Sequence, residues 1–227
     1  MVRTRRRLSP PAYLVKNRLK LEARFRQLPR GSSKWATAGC KRSLIAELRK
    51  LTHGKCVYCE HMLEVGTYIE VEHYIAKTID ESLVFEWTNL LPVCRLCNGS
   101  KAYDDHRRAL LKPDDEDPEP YFWLHAGTGE LRPHPNLTAA ETIRAEETIR
   151  LCDLQRGALC AKRSETIELT DLLLKVLADE NILPQTRQRA WKALSDPKRE
   201  YKFVVRHVLT LKGRRDLADE DRRLFQH

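Results

Sequence analysis

A chain of 227 residues and 26.5 kDa is long enough for one substantial core, or for a small module set into a larger helical body. Its most apolar run, LTDLLLKVL from Leu169 to Leu177, is broken by Asp171 and Lys175, and no apolar segment follows the basic residues at the N-terminal end, so neither a membrane span nor a secretory leader is expected and the location should be cytoplasmic. The formal charge of +9 is lopsided: residues 1–50 hold 15 Lys and Arg against 2 acids, while the remainder holds 26 against 30, which predicts a polyanionic partner such as nucleic acid at the N-terminal end.

In chain order, residues 1–39 read as a basic arm broken at Pro10-Pro11, with Arg3, Arg5, Arg6 and Arg7 as phosphate contacts that add affinity without reading bases. Residues 40–112 form the next unit. CKRSLIAELRKLTHG carries Leu44, Ile45, Leu48 and Leu51 on one helical face, stopped by Gly54. In KCVYCEHMLEVGTYIEVEHYIAK, short runs rich in β-branched and aromatic residues flank Gly66 and predict a hairpin. KPDDEDPEP, Lys112 to Pro120, holds three prolines and five acids and reads as a surface connection. Residues 113–227 are then mainly helical: a capping box at Thr138 and Glu141, helices over Ile143–Leu151, Ile167–Leu177 and Gln185–Leu194, and a last one over Lys198–Leu211 started by Asp196-Pro197.

The seven cysteines are an odd number, which suits a reducing compartment. Cys56, Cys59, Cys94 and Cys97 form two Cys-x-x-Cys pairs with 34 residues between them, a spacing that suits one tetrahedral structural zinc clamping the base of the insert. Four thiolates leave no vacancy for His53 or His61. Cys40, Cys152 and Cys160 read as buried thiols. His106, His125 and His134 read as surface or packing residues, and Trp87 and Trp123 as core.

Between the pairs lies IEVEHYI. Histidine is the usual general base near neutral pH, and a carboxylate suits a hard cation such as Mg²⁺. Glu72 and His73 are adjacent, so on a regular strand they face opposite sides; they serve one site only if the strand ends there or the helix after Cys97 closes over it. Asn98 follows Cys97 at the expected start of that helix and offers a second hard oxygen near Glu72. Asn89 has a side chain suited to holding a loop, and Lys77 and Lys101 are candidate phosphate contacts.

The order Cys-x-x-Cys, Glu-His, Asn-Leu-Leu-x-x-Cys-x-x-Cys-Asn-x-x-Lys resembles the HNH endonuclease family. The resemblance implies an α+β fold, a zinc-stapled ββα-metal core embedded in a mainly α-helical chain. It implies that His73 is the general base, Glu72 and Asn98 the ligands of a catalytic Mg²⁺ or Mn²⁺, and Asn89 a loop-orienting residue. Glu72 stands where Asp is frequent, Asn98 where the name implies His, and Ala76 where Pro often precedes the Lys. LVFEWTNLLPVC, LLKPDDEDPEPYFWL, GELRPHP and AEETIRLCDLQRGAL further resemble the HNH subunit of Septu-type anti-phage systems, also found beside some retrons. That similarity runs from about Leu44 to Arg163 and implies a DNA-cutting effector partnered by an ABC-type ATPase. Two other readings compete: a non-catalytic zinc-dependent nucleic-acid-binding module, in which His73 is dispensable, and a helical adaptor for the ATPase.

Overall fold

A computed structural model describes residues 1–4, 9–63, 68–100 and 110–225. The basic segment expected as an arm contains a helix, α1 (Ala12–Phe25), whose Leu14, Leu21 and Phe25 are buried. It packs on α2 (Ala38–Leu51). The Thr37 hydroxyl accepts from the Cys40 amide at 3.2 Å to start α2, and Gly54, at φ +81°, follows its end. Leu44, Leu48 and Leu51 of α2 meet the α1 stripe, Trp35, Phe85 and Leu90 in one apolar cluster. Charge concealed this stripe: the helix is basic outside and apolar within.

β1 (Glu70–His73) pairs antiparallel with β2 (Leu90–Val93), Glu70 opposite Val93 and His73 opposite Leu90. The expected hairpin is thus corrected: of the two runs that flank Gly66, the first pairs within itself, Lys55 with Met62, and the second pairs with β2. The cause is the thiol cluster, which draws residues 56–59 onto residues 94–97; Val57 N donates to Pro92 O at 3.0 Å. All four β2 residues are buried, as befits a strand covered on both faces. α3 (Arg95–Ser100) follows directly.

The acidic connection is irregular as expected, with Asp115 and Pro120 exposed, but its start is not on the surface. Lys112, Pro113 and Asp114 are buried, because Lys112 Nζ lies 3.5 Å from Asp114 and 2.9 Å from Asp115, and Arg144 pairs with Glu116, so the acids are compensated. A second antiparallel pair, β3 (Phe122–Leu124) with β4 (Leu131–Pro133), lies against α4 (Ala139–Leu151), which begins with the expected capping box at Thr138 and Glu141. α5 (Gly157–Ala178) and α6 (Pro184–Ser195) precede α7 (Lys202–Leu211), which starts later than expected: Asp196 caps a turn at Lys198 N, and Tyr201 is left-handed at φ 55°. α8 (Arg215–Phe225) was hidden by its polarity and is tied down by Asp221, buried between Lys202 and Arg206. The architecture is α+β and helix-dominated. No helix among the described residues is long and apolar enough to cross a membrane.

Candidate functional site

The Sγ atoms of Cys56, Cys59, Cys94 and Cys97 lie within 4.8 Å of one another, and all four residues are buried. Cys59 and Cys94 are 3.8 Å apart, the edge of a tetrahedron with metal–sulfur bonds of about 2.3 Å. The donor set therefore fits a structural metal such as zinc. The first knuckle closes through Glu60 at φ 62°, with Glu60 N on Cys56 O at 3.0 Å; in the second, Cys97 N donates to Cys94 Sγ at 3.4 Å. Arg156, capping α5, points Nη1 at Cys97 Sγ, 3.7 Å away. Burial works against its charge, but the Cys97 and Cys59 sulfurs beside it raise its pKa, and the arginine would offset part of the negative charge that four thiolates bring to a bound metal.

Beside this cluster a cavity of about 540 Å³ is lined by Glu70, Glu72, His73, Lys77 and Asn98, together with Trp35 and Lys41. Glu72 and His73 share it because β1 ends at His73 and the chain bends away at Tyr74, whose amide donates to Asn89 O at 2.8 Å. His73 Nε2 lies 3.1 Å from Val84 O. A carbonyl only accepts, so Nε2 carries the hydrogen, and in the neutral form of the ring the lone pair is then on Nδ1. The Trp35 ring stands edge-to-face against the imidazole, centroids 4.5 Å apart.

Asn89 braces the loop that carries the chain from β1 to β2. Its Oδ1 accepts from Ile75 N at 2.7 Å, and Nδ2 donates to Ile75 O and Leu83 O, each at 3.1 Å. Asn98 sits inside α3 rather than at its start, since its amide already bonds Cys94 O at 3.0 Å. Its side-chain Nδ2 donates to Glu70 Oε2 at 2.6 Å. Lys77 is half-buried, and burial and then Lys41 lower its pKa. Arg3 is exposed, 3.5 Å from Asp115 O, and is not among the residues lining the cavity. Arg5, Arg6, Arg7, Lys101, His106 and Gly66 lie outside the described residues. Cys40 and Cys152 are buried as expected, but Cys160 is partly exposed, with Sγ 3.5 Å from Gln155 O.

Three cavity side chains that bear on the chemistry, Glu70, Trp35 and Lys41, were not singled out from the sequence. Glu70 was within reach, because it shares a strand face with Glu72 two positions on. Trp35 and Lys41 carry no local signal; only the packing of α1 and α2 brings them to β1.

No family model matches the chain. Over 165 residues it is 36% identical to the Septu protein PtuB of Bacillus thuringiensis, an overlap of 72% of this chain and 62% of that protein. A second Septu protein PtuB, from Bacillus mycoides (strain KBAB4), is 25% identical, with 72% of this chain and 64% of the relative covered. The chain thus spans a little under two thirds of the length of the PtuB relatives it matches.

Proposed function

We propose that this chain is a metal-dependent HNH endonuclease that hydrolyses phosphodiester bonds in DNA, acting as the nuclease effector of a Septu anti-phage defence complex beside an ABC-type ATPase. The observation that carries the reading is the convergence of Glu72, His73, Lys77 and Asn98 on one cavity next to the four-thiol cluster. Similarity to PtuB supports the defence assignment.

Glu72 offers a carboxylate and Asn98 an amide oxygen, the hard donors that Mg²⁺ or Mn²⁺ takes. A divalent cation bound there supplies stabilisation of the charge that grows on the leaving oxygen. His73 Nδ1 accepts the proton of the attacking water, and the Val84 carbonyl at Nε2 keeps the ring in the tautomer that can do so and stabilises it once charged. Lys77 and Lys41 bring positive charge to the phosphate. Asn89 holds the loop after His73 in shape, and the thiol cluster, loaded with zinc, fixes α3 and therefore Asn98 against β1.

Supercoiled plasmid incubated with zinc-loaded protein and Mg²⁺ or Mn²⁺ tests the reading. Nicking by wild type, stopped by EDTA and absent from His73→Ala at equal zinc content, is the expected result. Equal cleavage by wild type and His73→Ala refutes the role given to His73. DNA binding without cleavage by either, with the ATPase partner supplied, favours a non-catalytic binding module.

A further inference from the structure

We infer that Glu70 is a positioning residue that sets the orientation of the Asn98 amide, turning Oδ1 toward the cation site; the inference rests on the nuclease reading above. An asparagine ligand has a weakness that a carboxylate lacks. Its oxygen and nitrogen ends are nearly identical in shape, and a half-turn about the last side-chain bond presents hydrogens instead of a lone pair. Something must hold one end. Glu70 Oε2 lies 2.6 Å from Asn98 Nδ2, and since a carboxylate only accepts, the nitrogen is committed to Glu70 and the oxygen faces away from it.

The backbone makes the arrangement rigid. Glu70 and Glu72 are two apart on β1, so both carboxylates leave the same face and both line the cavity with Asn98. Glu70 is registered opposite Val93, the residue before Cys94, and Asn98 is the residue after Cys97. The thiol cluster therefore anchors both ends of the contact. One carboxylate is left for the cation and the other for the amide that helps to bind it, the division of labour found where an outer partner orients a metal ligand.

The test is Mn²⁺ binding to zinc-loaded protein, read by the electron paramagnetic resonance of free Mn²⁺, with zinc content measured in every sample and single-turnover cleavage run in parallel. Glu70→Ala is expected to weaken Mn²⁺ binding by about 10- to 100-fold with zinc content unchanged, and excess Mn²⁺ to restore its cleavage. Glu70→Gln is expected to fall between wild type and Glu70→Ala, because its Oε1 accepts the same hydrogen bond but its Nε2 donates equally well to a turned Asn98. Adding Asn98→Asp to Glu70→Ala is expected to recover affinity, since a carboxylate needs no orienting. Failure of Asn98→Asp to recover affinity in Glu70→Ala would overturn the inference by making Glu70 a cation ligand, and unchanged affinity in Glu70→Ala would overturn it by making the contact incidental. Wild type that binds no Mn²⁺ but still cleaves would remove the cation site and the positioning role together; wild type that binds Mn²⁺ normally yet does not cleave would count against the nuclease reading alone.

Discussion

His73 has its ring fixed at two points, Nε2 on Val84 O and its flank on Trp35, and the second contact comes from a segment remote from the motif. Trp35→Ala should slow single-turnover cleavage by about 10- to 100-fold while leaving zinc content and substrate affinity nearly unchanged, because a misaligned base costs rate rather than binding. Trp35→Phe should recover most of the rate, and a pure loss of affinity in Trp35→Ala would contradict the assignment. Arg156 invites a parallel experiment at the thiols. Arg156→Ala should release zinc to a chromophoric chelator about 10-fold more readily than wild type. At this scale what was legible is placement: the paired cysteines gather in one cluster, and Glu72, His73 and Asn98 line one cavity. Trp35 was not readable, since an aromatic beside basic residues carries no mark of the histidine it will meet.

α2 shows why one helix was legible and its neighbour was not. The Leu44, Leu48 and Leu51 stripe and the Gly54 stop agree, and the helix covers the stretch they marked. Leu48 is fully buried, so Leu48→Ala should cost about 2–5 kcal/mol in urea unfolding; a loss below about 1 kcal/mol would mean that the α1–α2 cluster is not a packed core. In α1 the same kind of stripe is spread thinner among basic residues and has no side-chain cap, so charge dominated the reading. The β1 partner was misjudged for a different reason. The run before β1 closes on itself at Lys55 and Met62 while its cysteines meet residues 94–97, which leaves β1 to pair with the next strand, β2, and no local pattern encodes that choice. Tyr201, in a left-handed conformation that its residue type does not announce, delayed α7 in the same way.

Across the whole molecule, the metal knuckle is tied to the C-terminal helices by buried polar groups. Lys55 Nζ donates to Pro197 O at 2.8 Å and Arg199 O at 3.0 Å, and Phe203 N donates to Glu60 at 3.2 Å. Burial pulls the Lys55 pKa down to about 8. Because this lies below the 10.5 of the unfolded chain, the folded state sheds the proton first, and the Lys55 contribution to stability should rise between about pH 8 and pH 10.5. Thermal unfolding of wild type and Lys55→Met across that window should differ in slope, wild type being the steeper; parallel slopes would refute the shift. Removal of zinc should loosen both the knuckle and the helices packed on it. If β1 and α3 build one hydrolytic centre, as proposed, a double-mutant cycle on single-turnover DNA cleavage with His73→Ala and Asn98→Ala will show it. The double variant is expected to be no slower than the worse single variant, as for residues acting in one step. Fully multiplicative losses, or a single variant with wild-type rate, would contradict it.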